Sequence, residues 1–129
     1  MIRQDFYVEH YWKVTVFYDW NCDFLCEIVN ELKSNEFSKD FIRKISYNIY
    51  VENVKAVTCS NMENRVSVVI FNNHKSDADY LNSIVHEAEH IKQAMLKAYK
   101  VKDAGEPPAY TVGYLVMRMY EVFRKMLCR

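Results

Sequence analysis

Apolar and polar positions change period several times along this chain, and each change predicts an element. From Phe6 to Tyr18 the period is two: Phe6, Val8, His10, Trp12, Val14, Val16 and Tyr18 fall on one side, and Tyr7, Glu9, Tyr11, Lys13, Thr15 and Phe17 on the other. β-Branched and aromatic residues dominate, which predicts one long strand, or a strand preceded by an extended arm, with His10 an ordinary strand residue. The period then lengthens. Phe24, Leu25, Ile28, Val29 and Leu32 recur at helical spacing behind Asp19 or Asn21 as cap, giving a helix to about Lys33 that Ser34-Asn35-Glu36 ends. A shorter helix, about Ser38 to Tyr47, follows on Phe41, Ile42 and Ile45.

Ile49 to Ser60 and Arg65 to Asn72 are rich in Val, Ile, Tyr and Thr, and the polar Asn61-Met62-Glu63-Asn64 between them suits a hairpin turn. A long helix begins after that second strand. Ser76 with Asp79 three residues on resembles a capping box, and Asp77 and Asp79 favour the positive end of the dipole. Its apolar stripe reads Leu81, Ile84, Val85, Ala88, Ile91, Met95 and Tyr99. After a short connection, with Gly105 as terminator of the preceding helix or loop, Pro107 and Pro108 suit the opening turn of a last helix. That helix carries Val112, Leu115, Val116, Met119, Phe123, Met126 and Leu127 at helical spacing, with Arg124, Lys125 and Arg129 at its negative end.

Length and composition narrow the class. A chain of 129 residues, half of them apolar and with two glycines and two prolines, predicts one compact domain with a real core. Seventeen basic and seventeen acidic residues cancel without any block of like charge. Neither a phosphate-backbone footprint nor a polybasic membrane patch follows from that, so no nucleic-acid or membrane partner is expected. The start lacks a signal-type apolar core and no run of ~18 apolar residues occurs, so a cytoplasmic location is the expectation. Cys22 and Cys26 lie one helical turn apart, which suits a metal pair, but both fall within an apolar stripe and are read as buried free thiols.

The chemistry concentrates in the long helix, where His86-Glu87-Ala88-Glu89-His90 forms H-E-x-x-H. Side chains at i and i+4 lie one turn above the other, so both imidazoles can converge on one ion without bending the backbone. Glu87 follows the first ligand directly, in reach of a water to be deprotonated. The two histidines lie roughly opposite the centre of the apolar stripe, which argues against simple core residues. The bland alternative is a solvated helix face bearing two histidines and two glutamates. For a third ligand Glu106 leads at the mouth of the last helix, with Glu121 and Asp103 as other candidates; Glu106 would otherwise only complement a helix dipole.

The motif helix followed by Gly105-Glu106-Pro107-Pro108-Ala109-Tyr110-Thr111-Val112-Gly113-Tyr114-Leu115 resembles small zincin-like proteins of phages and mobile elements. The resemblance covers about the last third of the chain, and the Pro107-Pro108 pair directly after Glu106 departs from it. It implies an α+β, minimal zincin-like domain: a small, mostly antiparallel sheet packed with a backing helix, an active-site helix and a C-terminal helix. By the same resemblance His86, His90 and Glu106 match the metal ligands, and Glu87 the catalytic base, of a gluzincin-type metallopeptidase. Tyr110 and Tyr114 sit one turn apart, and one of them is placed to donate to an oxyanion; packing beside the motif helix is the better account of Tyr114. Gly113 is expected to permit close helix packing, and Glu89 to face solvent or support the site indirectly.

Two functions from different classes follow. The first is a zinc-dependent metallopeptidase acting on a peptide or protein substrate, with Glu87 as general base and the strand Val66 to Phe71 as an edge along which the substrate adds. The second is a catalytically silent, zincin-shaped accessory protein of a phage or mobile element, with structural metal or none. His and carboxylate ligands also suit other divalent ions. Substrate, partner and oligomeric state are not encoded legibly.

Overall fold

A computed structural model describes residues 2–21 and 24–127. Among them the chain forms four strands and four helices: β1 (Ile2–Val8), β2 (Trp12–Tyr18), α1 (Leu25–Ser34), α2 (Lys39–Tyr50), β3 (Ala56–Asn61), β4 (Val66–Phe71), α3 (Asp77–Tyr99) and α4 (Glu106–Leu127). The strands make one mixed sheet in the order β1-β2-β4-β3, antiparallel at both outer pairs and parallel between β2 and β4. The class is therefore α+β. None of the described helices is long and apolar enough to cross a membrane.

Both faces of the sheet are covered. Trp12, Val14, Val16 and Tyr18 of β2 and Val69 and Phe71 of β4 pack with Ile84, Ala88 and Ile91 of α3 and Leu115, Met119 and Phe123 of α4. Phe17 and the alternate β4 residues Val66, Val68 and Ile70 pack with Ile28 and Leu32 of α1 and Ile42, Ile45 and Ile49 of α2. A central strand enclosed by helices on both sides has no solvent face, which is why all six β4 residues are buried.

The expected strand from Phe6 to Tyr18 is instead a hairpin. Val8 pairs with Trp12, leaving residues 9–11 as the loop, and the Tyr11 N–H donates to the Val8 carbonyl at 3.2 Å. Glu9 and His10 take left-handed backbone, at φ 52° and 67°, so His10 is a turn residue. Three loop residues preserve parity: Phe6 faces Val14 and Gln4 faces Val16, so the alternation runs through the turn unbroken. The reversal carries no glycine or asparagine to mark it.

Other boundaries moved for identifiable reasons. α1 starts later than expected, with Phe24 at its cap and no side-chain cap hydrogen bond. Cys26 is exposed and Cys59 buried, so the buried-thiol expectation fails for Cys26; Cys22 lies outside the described residues. α2 runs on to Tyr50, because Ile42, Ile45 and Ile49 bury one helical face. β3 consequently begins at Ala56 rather than near Ile49. In α3 the Ser76 hydroxyl accepts from the Asp79 N–H at 3.1 Å, and left-handed Lys100 closes the helix. Gly105, at φ 84°, ends the loop between α3 and α4 rather than the helix itself. Leu81 and Val85 are exposed while Ser83 and Glu87 are buried, so the inner stripe of α3 is turned toward the motif acid.

Candidate functional site

α3 lies against β3, an edge strand hydrogen-bonded to β4. The period of two in β3 sends Val57 and Cys59 toward α1 and α2, leaving Thr58 toward α3. Between the two elements is a cavity of about 360 Å³, walled on one side by residues 55–58 and on the other by Ser83, His86, Glu87 and His90. The strand Val66–Phe71, expected to offer the edge, is interior; the edge beside the motif is β3.

His86 and His90 converge as their spacing requires. Their Nε2 atoms are 3.1 Å apart, and the rings are nearly perpendicular with centroids at 4.7 Å. Two imidazole nitrogens bound to one tetrahedral zinc at ~2.0–2.1 Å lie about 3.3–3.4 Å from each other, so the pair fits a shared ion as two of its ligands. Glu87 is 4 % exposed and its Oε1 accepts from the Thr58 hydroxyl at 2.9 Å. Behind this carboxylate, burial and then the charge of Glu87 push the Cys59 thiol up to about 12, which keeps it a neutral thiol at ordinary pH.

A further contact holds the helix from just beyond the C-terminal end of β4, beside the same wall of the cavity. His74 is within 2.8 Å of the Asn72 carbonyl through Nδ1 and within 2.8 Å of the Ser83 hydroxyl through Nε2. Since a carbonyl only accepts, Nδ1 carries a proton toward Asn72, and Nε2 shares a hydrogen bond with the Ser83 hydroxyl. At the mouth of the cavity the Lys55 ammonium donates to Asp79 Oδ1 at 2.8 Å, tying the start of β3 to the first turn of α3.

The remaining residues singled out by sequence lie elsewhere. Glu106 is exposed on the first turn of α4. The connection before it is fastened through Asp103, which accepts from Lys92 Nζ at 2.9 Å. At 100° per residue Lys92 points about 200° from His90 around α3, so that anchor lies on the flank facing away from the histidines. Glu121 pairs with Arg118 on α4 at 3.7 Å, and Glu89 pairs with Lys92. Among the described residues no three His, Cys, Asp or Glu side chains form a group that could hold a metal. Tyr110, 72 % exposed, lines a different cavity with Tyr7, His10 and Tyr114. Tyr114 packs edge-on against Phe6, donates to the Tyr7 carbonyl at 3.3 Å and lies against the apolar cluster that α3 and α4 share. Nothing approaches within 4 Å of where a Cβ on Gly113 would sit, so this glycine serves no packing inside the described chain.

Sequence reasoning missed Thr58, Lys55, Ser83 and His74. Ser83 was legible in principle, three residues before His86 on the same helical side. Thr58 and His74 depend on which strand flanks α3, and no local pattern carries that.

Compared with models of known protein families, with curated proteins and with solved structures, the chain matches none.

Proposed function

We propose that the chain is a minimal, zincin-like, divalent-metal-dependent hydrolase of extended peptides, zinc being the ion its donors suit best. The observation that carries this reading is the convergence of His86 and His90 Nε2 at 3.1 Å over a cavity whose opposite wall is the free side of β3. A divalent ion there supplies Lewis acidity, polarising a carbonyl and lowering the pKa of water toward ~7. His86 and His90 would hold it. Glu106 would complete the set once residues 100–105 leave the Lys92 anchor. Glu87, kept in place by Thr58, accepts the proton of the attacking water and returns it to the leaving amine. An extended peptide adds to β3 through backbone hydrogen bonds, with its scissile bond beneath the histidines.

One observation favours a second reading. The described residues group no third metal-ligating side chain with the histidine pair. That suits a catalytically silent accessory protein of a phage or mobile element that keeps the zincin shape for binding alone. Metal stoichiometry of untagged protein, wild type beside His86→Ala, separates the outcomes together with peptide hydrolysis by wild type and Glu87→Ala. Near one zinc per chain, lost in His86→Ala, with turnover lost in Glu87→Ala, supports the hydrolase. Zinc without turnover on unfolded protein or peptide libraries supports the accessory protein, and no zinc at all removes the site.

A further inference from the structure

The outward face of α4 is organised as half of an interface. Glu106, Tyr110, Gly113, Met117, Tyr120 and Arg124 are all exposed. Their spacing is four, three, four, three, four, which is the a/d repeat of a coiled-coil seam. At 100° per residue the six positions fall within about 80° of one another on the helix surface. Tyr110, Met117 and Tyr120 are 72, 50 and 41 % exposed, unusual for large side chains on a helix whose inner face already has its own core. Gly113 sits in the middle of this row with open space over it.

We propose that α4 pairs antiparallel with α4 of a second copy of this chain, about a two-fold axis level with Leu115. The sequence is self-complementary in that register and in no parallel one. An isologous antiparallel contact pairs residues whose numbers share one sum, and a residues face d residues. With the axis at Leu115, Tyr110 faces Tyr120 of the second copy, Met117 fills the space over the second copy's Gly113, and Glu106 meets the second copy's Arg124. Each contact occurs twice. A parallel pairing stacks Glu106 on Glu106 and Arg124 on Arg124 and leaves Gly113 against Gly113, an empty layer between two bulky ones. The cavity of about 370 Å³ beside Tyr110, lined also by Tyr7 and Tyr114, extends the apolar surface available to the arriving Tyr120. A single helix face is at the small end of specific interfaces, and a weak dimer, on the order of micromolar, is expected. The seam shares one residue with the proposed hydrolase, Glu106, which pairs with Arg124 in metal-free protein and would leave that pair on joining an ion; Tyr110, Met117, Tyr120 and Arg124 have no part in that site, so association of metal-free protein is read separately from it.

Sedimentation equilibrium of the full chain across about 1–300 µM, a span chosen to bracket a micromolar Kd, reads the association directly. Wild type is expected to pass from monomer to dimer and Met117→Arg to stay monomeric; unchanged circular dichroism confirms that this exposed substitution leaves the fold intact. Glu106→Arg and Arg124→Glu singly should each weaken the dimer on the order of tenfold, and the double exchange should restore it, since two symmetry-related pairs are reversed each time. A wild-type monomer throughout the range overturns the proposal. So does a dimer indifferent to Met117→Arg, and a double exchange no better than either single variant overturns the antiparallel register.

Discussion

The Thr58 hydroxyl donates a 2.9 Å hydrogen bond to Oε1 of Glu87, joining the edge of the sheet to the helix that carries the histidines. Glu87 is turned inward by its place in the motif, next to His86 but on the buried side of α3. A carboxylate so secluded has lost most of its hydration, and a hydroxyl donor from β3 replaces part of it. The same bond sets the position of the proposed base relative to the strand along which a peptide would add.

Replacing Thr58 by valine keeps the shape of the side chain and removes the donor. The buried carboxylate then lacks a partner, at a cost of about 1–3 kcal/mol in unfolding free energy. Thr58→Ser retains the hydroxyl and should fall between wild type and Thr58→Val. Urea denaturation of the three proteins decides this, and a valine variant as stable as wild type would show that Glu87 gains nothing from the bond. Under the hydrolase reading, Thr58→Val also lowers turnover while leaving zinc stoichiometry unchanged.

Glu106 offers the sharpest division between the two functional readings. As a ligand that joins after the connection leaves Lys92, it makes zinc affinity fall at least about tenfold in Glu106→Gln, a loss in the same direction as that of His90→Ala. Competition against a chromophoric chelator measures both. Equal affinities for wild type and Glu106→Gln would confine the site to the two histidines and favour the accessory protein.

How much of this was legible follows from which interactions are local. The motif helix, its Ser76 cap and the paired imidazoles are set by spacings of three and four residues, and the sequence carries them openly. The hairpin at Glu9-His10 is hidden because its loop length preserves the alternation on both sides. α2 reaches Tyr50 because burial of Ile42, Ile45 and Ile49 outweighs the strand preference of β-branched residues. The edge role of β3 and the reach of Thr58 to Glu87 depend on strand order, a long-range property that no window of the sequence displays. Glu106 is singled out by its place at the mouth of the last helix and by the resemblance, and the tie from Asp103 to Lys92 carries the connection to the far flank of α3.

The Lys55 to Asp79 pair gives the cleft a pH dependence at its mouth. The hydrogen bond from Lys55, followed by a smaller opposing effect of desolvation, holds the Asp79 carboxyl below its ordinary range. A carboxyl whose pKa is lower in the folded state contributes stability above its unfolded value near ~3.9, and that contribution disappears as pH falls through the folded value. Lys55→Met should therefore melt below wild type at pH 7, with the gap closing under pH 3. A gap that persists at low pH would mean that the lysine stem, and not the ion pair, holds β3 to α3.

In the turn between β1 and β2 two successive residues oppose the fold. Glu9 and His10 both occupy left-handed backbone, where a Cβ costs an ordinary residue ~1–2 kcal/mol. Glycine removes that cost and returns about half of it by loosening the unfolded chain. His10→Gly alone, or Glu9→Asn with His10→Gly, is thus expected to raise unfolding free energy by about 0.5–1 kcal/mol, read by urea denaturation. The gain must come without any change of register, since a one-residue slip would turn Phe6 and Val8 out of the core and be plainly destabilising. A loss of stability in His10→Gly would instead assign His10 a net favourable role in the cavity it lines with Tyr7 and Tyr110, large enough to outweigh the backbone strain beneath it.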